Sequence, residues 1–230
     1  LGEGPEHCPQ RRVLGIRDKN GTFAGYVTLP VSNLLPVPER VTDEEAVFTE
    51  PLAAAVRIRE QIKVRPEARV AVIGPGRLGL LCGQVLALAG TEVLILGRRA
   101  SSLELPAALG LRTGLTMEQS ARSFDLVVDT TGNDKGLAET LRLIRPRGTV
   151  VMKSTFAGEA AVDLGPLVVN EITVVGSRCG PFAPALRLLE RGEVDVTSLI
   201  DARYPLAEGK SALSYAARQG VRKVLLEPGG

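Results

Sequence analysis

The chain has 230 residues, 44% hydrophobic and 23% charged, enough for one large domain or one domain plus part of another. A formal charge of +2 gives no field that would draw nucleic acid or a membrane surface, and 3% aromatic residues without Trp leave little to stack on single-stranded bases. Three separated cysteines do not make a disulfide framework and suit a reducing cytoplasm, and with no run of 18 uncharged apolar residues neither a membrane span nor a secretion leader is expected.

In chain order, positions 1–20 lack periodicity and read as loop, with His7 and Cys8 inside it. Gly21 to Leu29 alternates enough to predict a strand, and Pro30, Pro36 and Pro38 then punctuate a loop. Thr42 with Glu45 three residues on spells a capping box, so a helix should begin there. Glu50-Pro51 should interrupt it, because a residue before proline avoids the α region, and Leu52 to Ile62 should resume it. From Arg69 onward strands and helices alternate. The strands are Arg69–Ile73, Glu92–Leu96, Asp125–Asp129, Gly148–Met152 and Ile172–Val175, with a weaker one near Arg112–Gly114. The helical runs are Leu78–Ala89, Ser102–Leu109, Met117–Arg122, Lys135–Ile144 and Gly165–Asn170. β-branched strands separated by helices predict an α/β, doubly wound parallel sheet in the order 3-2-1-4-5-6. After Ser177 the alternation stops. Pro184–Arg191 and Ala207–Gln219 are predicted helices and Val221–Leu226 a last strand, in a second structural unit.

Gly74, Gly76 and Gly79 form G-x-G-x-x-G between the first strand and the apolar helix. In that context the spacing is a dinucleotide-binding (Rossmann) fingerprint: a tight turn, a close approach to pyrophosphate, and close helix–strand packing. The helix N-terminus adds free N–H groups and partial positive charge for phosphate. The plainer alternative is a glycine-rich turn that binds nothing.

Ligands of such sheets bind outside the carboxyl ends of the strands. That rule selects Gly74, Gly76, Arg77, Leu78 and Gly79 after strand one, and Gly97, Arg98 and Arg99 after strand two. It adds Thr130 and Thr131 after strand four, Lys153 after strand five, and Ser177 and Arg178 after strand six. An acid is expected about 20 residues past the glycines to hold the ribose 2′-hydroxyl of NAD. Gly97 stands there instead, followed by two arginines, which favours NADP(H) over NAD(H) because guanidinium matches phosphate. The bland reading makes Arg98 and Arg99 solvated charges. Glu50, at the predicted helix break, has the chemistry of a metal ligand or proton carrier, or of a plain surface glutamate. Cys82 reads as a small buried residue, and His7 with Cys8 is too few ligands for zinc.

Gly21 to Ala55, the glycine motif, Phe124-Asp-Leu-Val-Val-Asp-Thr-Thr-Gly132, Arg147-Gly-Thr-Val-Val151 and the tail from Tyr204-Pro-Leu206 to Leu226 together resemble the zinc-dependent medium-chain alcohol dehydrogenases, polyol, threonine and glucose dehydrogenases above all. The resemblance implies that 1–54 ends a GroES-like catalytic domain, 55–177 is the nucleotide-binding domain, and 178–230 returns to the catalytic domain. It implies hydride transfer between an alcohol, polyol or sugar and NADP(H) or NAD(H), assisted by zinc. Glu50, in Glu-Pro-Leu, resembles the carboxylate offered to the catalytic zinc. Arg222 resembles the basic residue near the pyrophosphate, and Cys8 the last of four structural-zinc cysteines. Family members carry roughly a hundred residues ahead of this point, a domain's worth. Those residues hold the first zinc ligands, so the chain is expected to be a C-terminal portion. The rival expectations are a non-catalytic NADP(H)-binding module and a zinc-free reductase. Pairing through the edge Glu171–Gly176, with Ile172, Val174 and Val175, is expected to give a homodimer or homotetramer.

Overall fold

The structure is a computed structural model and describes residues 7–155 and 162–229. The chain forms two compact units, Leu1–Val37 with Thr197–Gly230, and Pro38–Val196.

In the larger unit Thr42 caps helix α1, Asp43–Ala46. The Glu45 amide donates to the Thr42 hydroxyl at 3.3 Å, and the Thr42 amide donates to the Glu45 carboxylate at 2.8 Å. Helix α2 then runs Thr49–Gln61 without a break at Pro51. The expected interruption falls earlier, at Val47–Phe48. Pro51 lies in the first turn, where backbone N–H groups have no partner within the helix, so its missing N–H costs nothing there.

Six strands follow: β1 Arg69–Ile73, β2 Glu92–Gly97, β3 Arg112–Leu115, β4 Phe124–Asp129, β5 Ile144–Met152 and β6 Thr173–Gly176. They form one parallel sheet in the order β3-β2-β1-β4-β5-β6, as the sequence pattern predicts. Helices α3 (Arg77–Ala87), α4 (Glu104–Ala108), α5 (Asp134–Leu143) and α6 (Gly165–Val169) lie between strands. The β1 and β4 sequences, Arg-Val-Ala-Val-Ile and Phe-Asp-Leu-Val-Val-Asp, are almost wholly buried, which explains their near-continuous hydrophobicity. One core cluster joins Ala71, Ile73 and Leu96 to Phe124, Val127, Leu143, Ile144 and Val150. The predicted helix at Met117–Arg122 shrinks to a single 3-10 turn, Thr116–Glu118. The Arg142 guanidinium donates to the carbonyls of Thr116 (2.9 Å) and Gln119 (2.8 Å), competing with helical propagation from that turn. Helix α7, Phe182–Glu190, packs on α2.

In the smaller unit, β7 (Ile200–Pro205) and β8 (Lys223–Glu227) pair in parallel, with helix α8 (Gly209–Ala216) between them in sequence. Strand β7 was not expected, yet Ile200, Ala202 and Tyr204 alternate in burial with Asp201, Arg203 and Pro205. Gly21–Leu29 forms no strand: it pairs with no other described strand, and Tyr26 is 98% exposed. Alternation alone does not make a strand without a neighbouring edge to accept its hydrogen bonds. Among the described residues no helix is long and apolar enough to cross a membrane.

Candidate functional site

Strand register brings the predicted residues into one row. Ile73 lies beside Leu96 and Asp129, Asp129 beside Met152, and Met152 beside Gly176. The next residue on each strand gives Gly97, Gly74, Thr130, Lys153 and Ser177, side by side at the carboxyl ends. The ladder runs one bond further than the strands. The amides of Gly74, Thr130, Lys153 and Ser177 donate to Leu96, Ile73, Asp129 and Met152 at 3.0 Å each.

The glycine turn leaves this row between β1 and β4, where the strand order reverses. Gly74 has φ +104°, a backbone that other residues rarely adopt, and a Cβ there would lie 2.8 Å from the Thr130 hydroxyl. Thr130 braces the turn, its hydroxyl 2.8 Å from the Ile73 carbonyl and 3.0 Å from that of Gly74. A Cβ on Gly79 would overlap the Gly74 carbonyl oxygen. Gly76 is different. It is exposed, it is the N-cap of α3, and an added Cβ would meet nothing within 4 Å. No side chain caps α3. The space that a methyl group on Gly76 would enter is open, the shape required for close approach of a phosphate to a helix N-terminus. Arg77 and the half-buried Leu78 begin the helix beside it.

Gly97 closes the other side of the row. A Cβ there would lie 2.7 Å from the Ser102 hydroxyl and 2.9 Å from Leu103, so no carboxylate side chain fits without moving both. Arg98 and Arg99 are exposed and have no acidic partner among the described residues.

At the end of β4, Asp129 is 1% exposed, and its Oδ1 accepts from the Thr131 amide (2.8 Å) and hydroxyl (2.7 Å). The residue type of Asp129 alone assigns it no role; its signal is an acid directly before Thr-Thr-Gly at a strand end. Lys153 turns away from the row. Its ammonium donates to the carbonyl of Ala54 in α2 (2.7 Å), the carbonyl of Arg178 (2.9 Å) and the Ser177 hydroxyl (3.1 Å). Burial pulls its pKa below the ordinary lysine value, partly opposed by Cys82, Cys179 and Glu50 nearby, while Arg57 adds to the fall. Burial pushes the Cys82 thiol up to about 12. Gly180, also missed, lies so close to α2 that a Cβ would overlap the Ala53 carbonyl oxygen.

Glu50 is exposed in the first turn of α2. In the smaller unit Cys8 is exposed, and Arg222 pairs with Asp201, whose Oδ2 also accepts from the Lys223 amide at 3.0 Å. Among the described residues no three His, Cys, Asp or Glu side chains come together to hold a metal. A catalytic zinc takes three protein ligands, so the described residues by themselves do not fit one.

Sheet order, switch point and glycine turn define a doubly wound α/β sheet, the class in which dinucleotides bind at such a switch point. A family model described as zinc-binding dehydrogenase matches residues 78–191. The chain is 29% identical over 223 residues to L-galactonate-5-dehydrogenase of Escherichia coli K12, covering 87% of this chain and 62% of that protein. It is 29% identical over 238 residues to sorbitol dehydrogenase of Halalkalibacterium halodurans, covering 96% and 69%. A Sinorhizobium meliloti structure bound to NADP, described as a zinc-binding dehydrogenase, superposes with a TM-score of 0.86 at 25% identity, covering 96% of this chain and 70% of that one. The chain is thus similar to zinc-binding dehydrogenases over residues 78–191 and to polyol and sugar dehydrogenases over most of its length.

Proposed function

We propose that this chain is the cofactor-binding part of an oxidoreductase that moves hydride between an alcohol, polyol or sugar and NADP(H), with NAD(H) the second choice. The observation that carries the proposal is the open Gly76 at an uncapped helix N-terminus, framed by Gly74 and Gly79 that admit no Cβ. The N–H groups of α3 bind the pyrophosphate, with Arg77 and Leu78 at its edge. Arg98 and Arg99 take the 2′-phosphate beside a Gly97 that leaves no room for a competing acid. Thr130, Thr131, Ser177 and Arg178 form the opposite half of the cleft, the last two held by Lys153, and Arg222 is offered as a basic residue for the pyrophosphate. When bound, the nicotinamide supplies the hydride chemistry, and the protein supplies its orientation. Glu50 is offered as one ligand of a zinc whose other ligands lie outside the described residues, and Cys8 as one ligand of a structural zinc. Residues 1–54 and 178–230 are assigned to a GroES-like catalytic domain, and 55–177 to the nucleotide-binding domain.

The three free thiols suit the cytoplasm. The edge strand β6, with Val174 at 44% exposure, suits pairing with a second copy into a homodimer or homotetramer. A monomer by light scattering at micromolar concentration contradicts that pairing.

Fluorescence titration of the chain with NADPH and NADH tests the main reading. NADPH should bind about tenfold tighter, a margin of ~1.4 kcal/mol. A tenfold preference for NADH overturns the NADP choice, and binding of neither overturns the cofactor reading. The second reading is a non-catalytic NADP(H)-binding module, favoured because no three His, Cys, Asp or Glu side chains among the described residues come together to hold a metal. Zinc analysis and alcohol-dependent NADP reduction by a longer protein containing this chain separate the two.

A further inference from the structure

Doubly wound sheets consist of two mononucleotide-binding halves related across the switch point. In the first half, the strand next to the switch pair ends in Gly97, beside the arginines that suit the adenosine end. Its counterpart in the second half is β5, which Lys153 directly follows. The nicotinamide half of a bound dinucleotide therefore lies against the ends of β4, β5 and β6. Lys153 does not reach into that space. All three ammonium protons go to protein oxygens on two separate segments, Ala54 on α2 and Ser177 with Arg178 after β6. The loop after β6 touches α2 again through Gly180 at Ala53, and Gln61 of α2 donates to the Gly176 carbonyl at 3.2 Å. One half-buried cation thus pins the β5 end, the β6 end and α2 to one another. Three donors spread over two backbone carbonyls and a hydroxyl need a tetrahedral ammonium; Met fills the stem alone, and the planar guanidinium of Arg does not reproduce the geometry.

We infer that Lys153 is a positioning residue: by tying Ala54 of α2 to Ser177 and Arg178, its ammonium holds the wall against which the nicotinamide half of the cofactor lies, while the adenosine half is held without it. The inference rests on the cofactor reading above and deepens it. The Lys153 ammonium touches neither cofactor nor substrate.

The test uses two probe pairs on the whole chain. NADPH is compared with 2′-phospho-ADP-ribose, and NADH with ADP-ribose; each second member lacks only the nicotinamide. In Lys153→Met the full dinucleotide should bind about tenfold more weakly and the truncated probe within about twofold of wild type. The fluorescence gain of bound reduced nicotinamide should fall. Lys153→Arg should show the same selective loss, and Ser177→Ala a smaller one. Equal weakening of both probes, as from a general loss of folding, makes Lys153 a plain structural strut and overturns the inference. Unchanged binding of both overturns it as well. A wild-type chain that binds the truncated probe but gains nothing from the nicotinamide overturns it while leaving the phosphate cradle standing. A wild-type chain that binds no probe defeats the cofactor reading and this inference together.

Discussion

Gly76→Ala separates a phosphate cradle from an ordinary glycine turn. Gly76 has φ −84° and ψ −179°, extended backbone open to any residue, and an added methyl meets nothing within 4 Å. Two small stability effects oppose each other. Replacing glycine at a compatible backbone stabilises by about 0.4–1 kcal/mol through the unfolded state. Alanine is a poorer N-cap than glycine, at a cost of about 0.5–1 kcal/mol. The melting temperature should therefore hardly move. Cofactor binding should suffer, because the methyl occupies the space where phosphate approaches the first N–H groups of α3. Losing one or two charge-assisted hydrogen bonds costs about 1.5–3 kcal/mol each, at least a tenfold loss of NADPH affinity. Gly79→Ala is the contrasting variant. Its Cβ would overlap the Gly74 carbonyl oxygen, which is backbone and cannot rotate away, so folding itself should weaken by about 1–3 kcal/mol. Urea denaturation and NADPH titration on both variants give the four numbers needed. Wild-type affinity in Gly76→Ala refutes the cradle; a large loss of stability there refutes the account of its packing.

Arg98→Ala with Arg99→Ala should weaken NADPH about tenfold or more and leave NADH within about twofold, with a shallower salt dependence for NADPH, by titration at two ionic strengths. Equal effects on both cofactors would make these arginines bystanders. Asp129→Ala leaves the Thr131 amide and hydroxyl without their buried acceptor and should cost about 2–3 kcal/mol in urea unfolding, while the double change with Thr131→Val should recover part of that loss. The Cys82 thiol, pushed from 9.0 to about 12 by burial, keeps its proton in the folded chain when the unfolded chain has released it. Its contribution to stability is complete below pH 9 and declines as pH rises toward 12, so wild type should lose stability more steeply across that range than Cys82→Ala. The lowered pKa of Lys153 acts in the opposite sense. At pH 8 a thiol reagent should label exposed Cys8 and spare Cys82 until the chain unfolds.

Period and punctuation were enough to read the sheet. Arg69–Ile73 matches β1 residue for residue, and the other strands differ only at their ends, because runs such as Val-Ala-Val-Ile have one stable use between two helical layers. The glycine turn was equally legible, since its requirements are local: Gly74 needs its φ, Gly79 its lack of Cβ, and both are written in residue type. Errors arose where one residue's fate depended on a distant one. Arg142 lies more than twenty positions from Thr116 and takes its carbonyl, ending a helix that propensity favoured. Gly21–Leu29 alternates but pairs with no described strand, whereas Ile200–Pro205 finds one in β8.

The sequence by itself determined the strands, their parallel order and the glycine cradle, because hydrophobic period and backbone conformational limits act over a few residues. Only the tertiary structure decided that Gly97 is walled in by Ser102 and Leu103, that Asp129 is held under Thr131, and that Lys153 faces α2 rather than the open cleft. Those outcomes depend on which oxygen or side chain stands opposite after folding. From Lys153 to Ala54 that partner lies 99 positions away, beyond the reach of any local pattern.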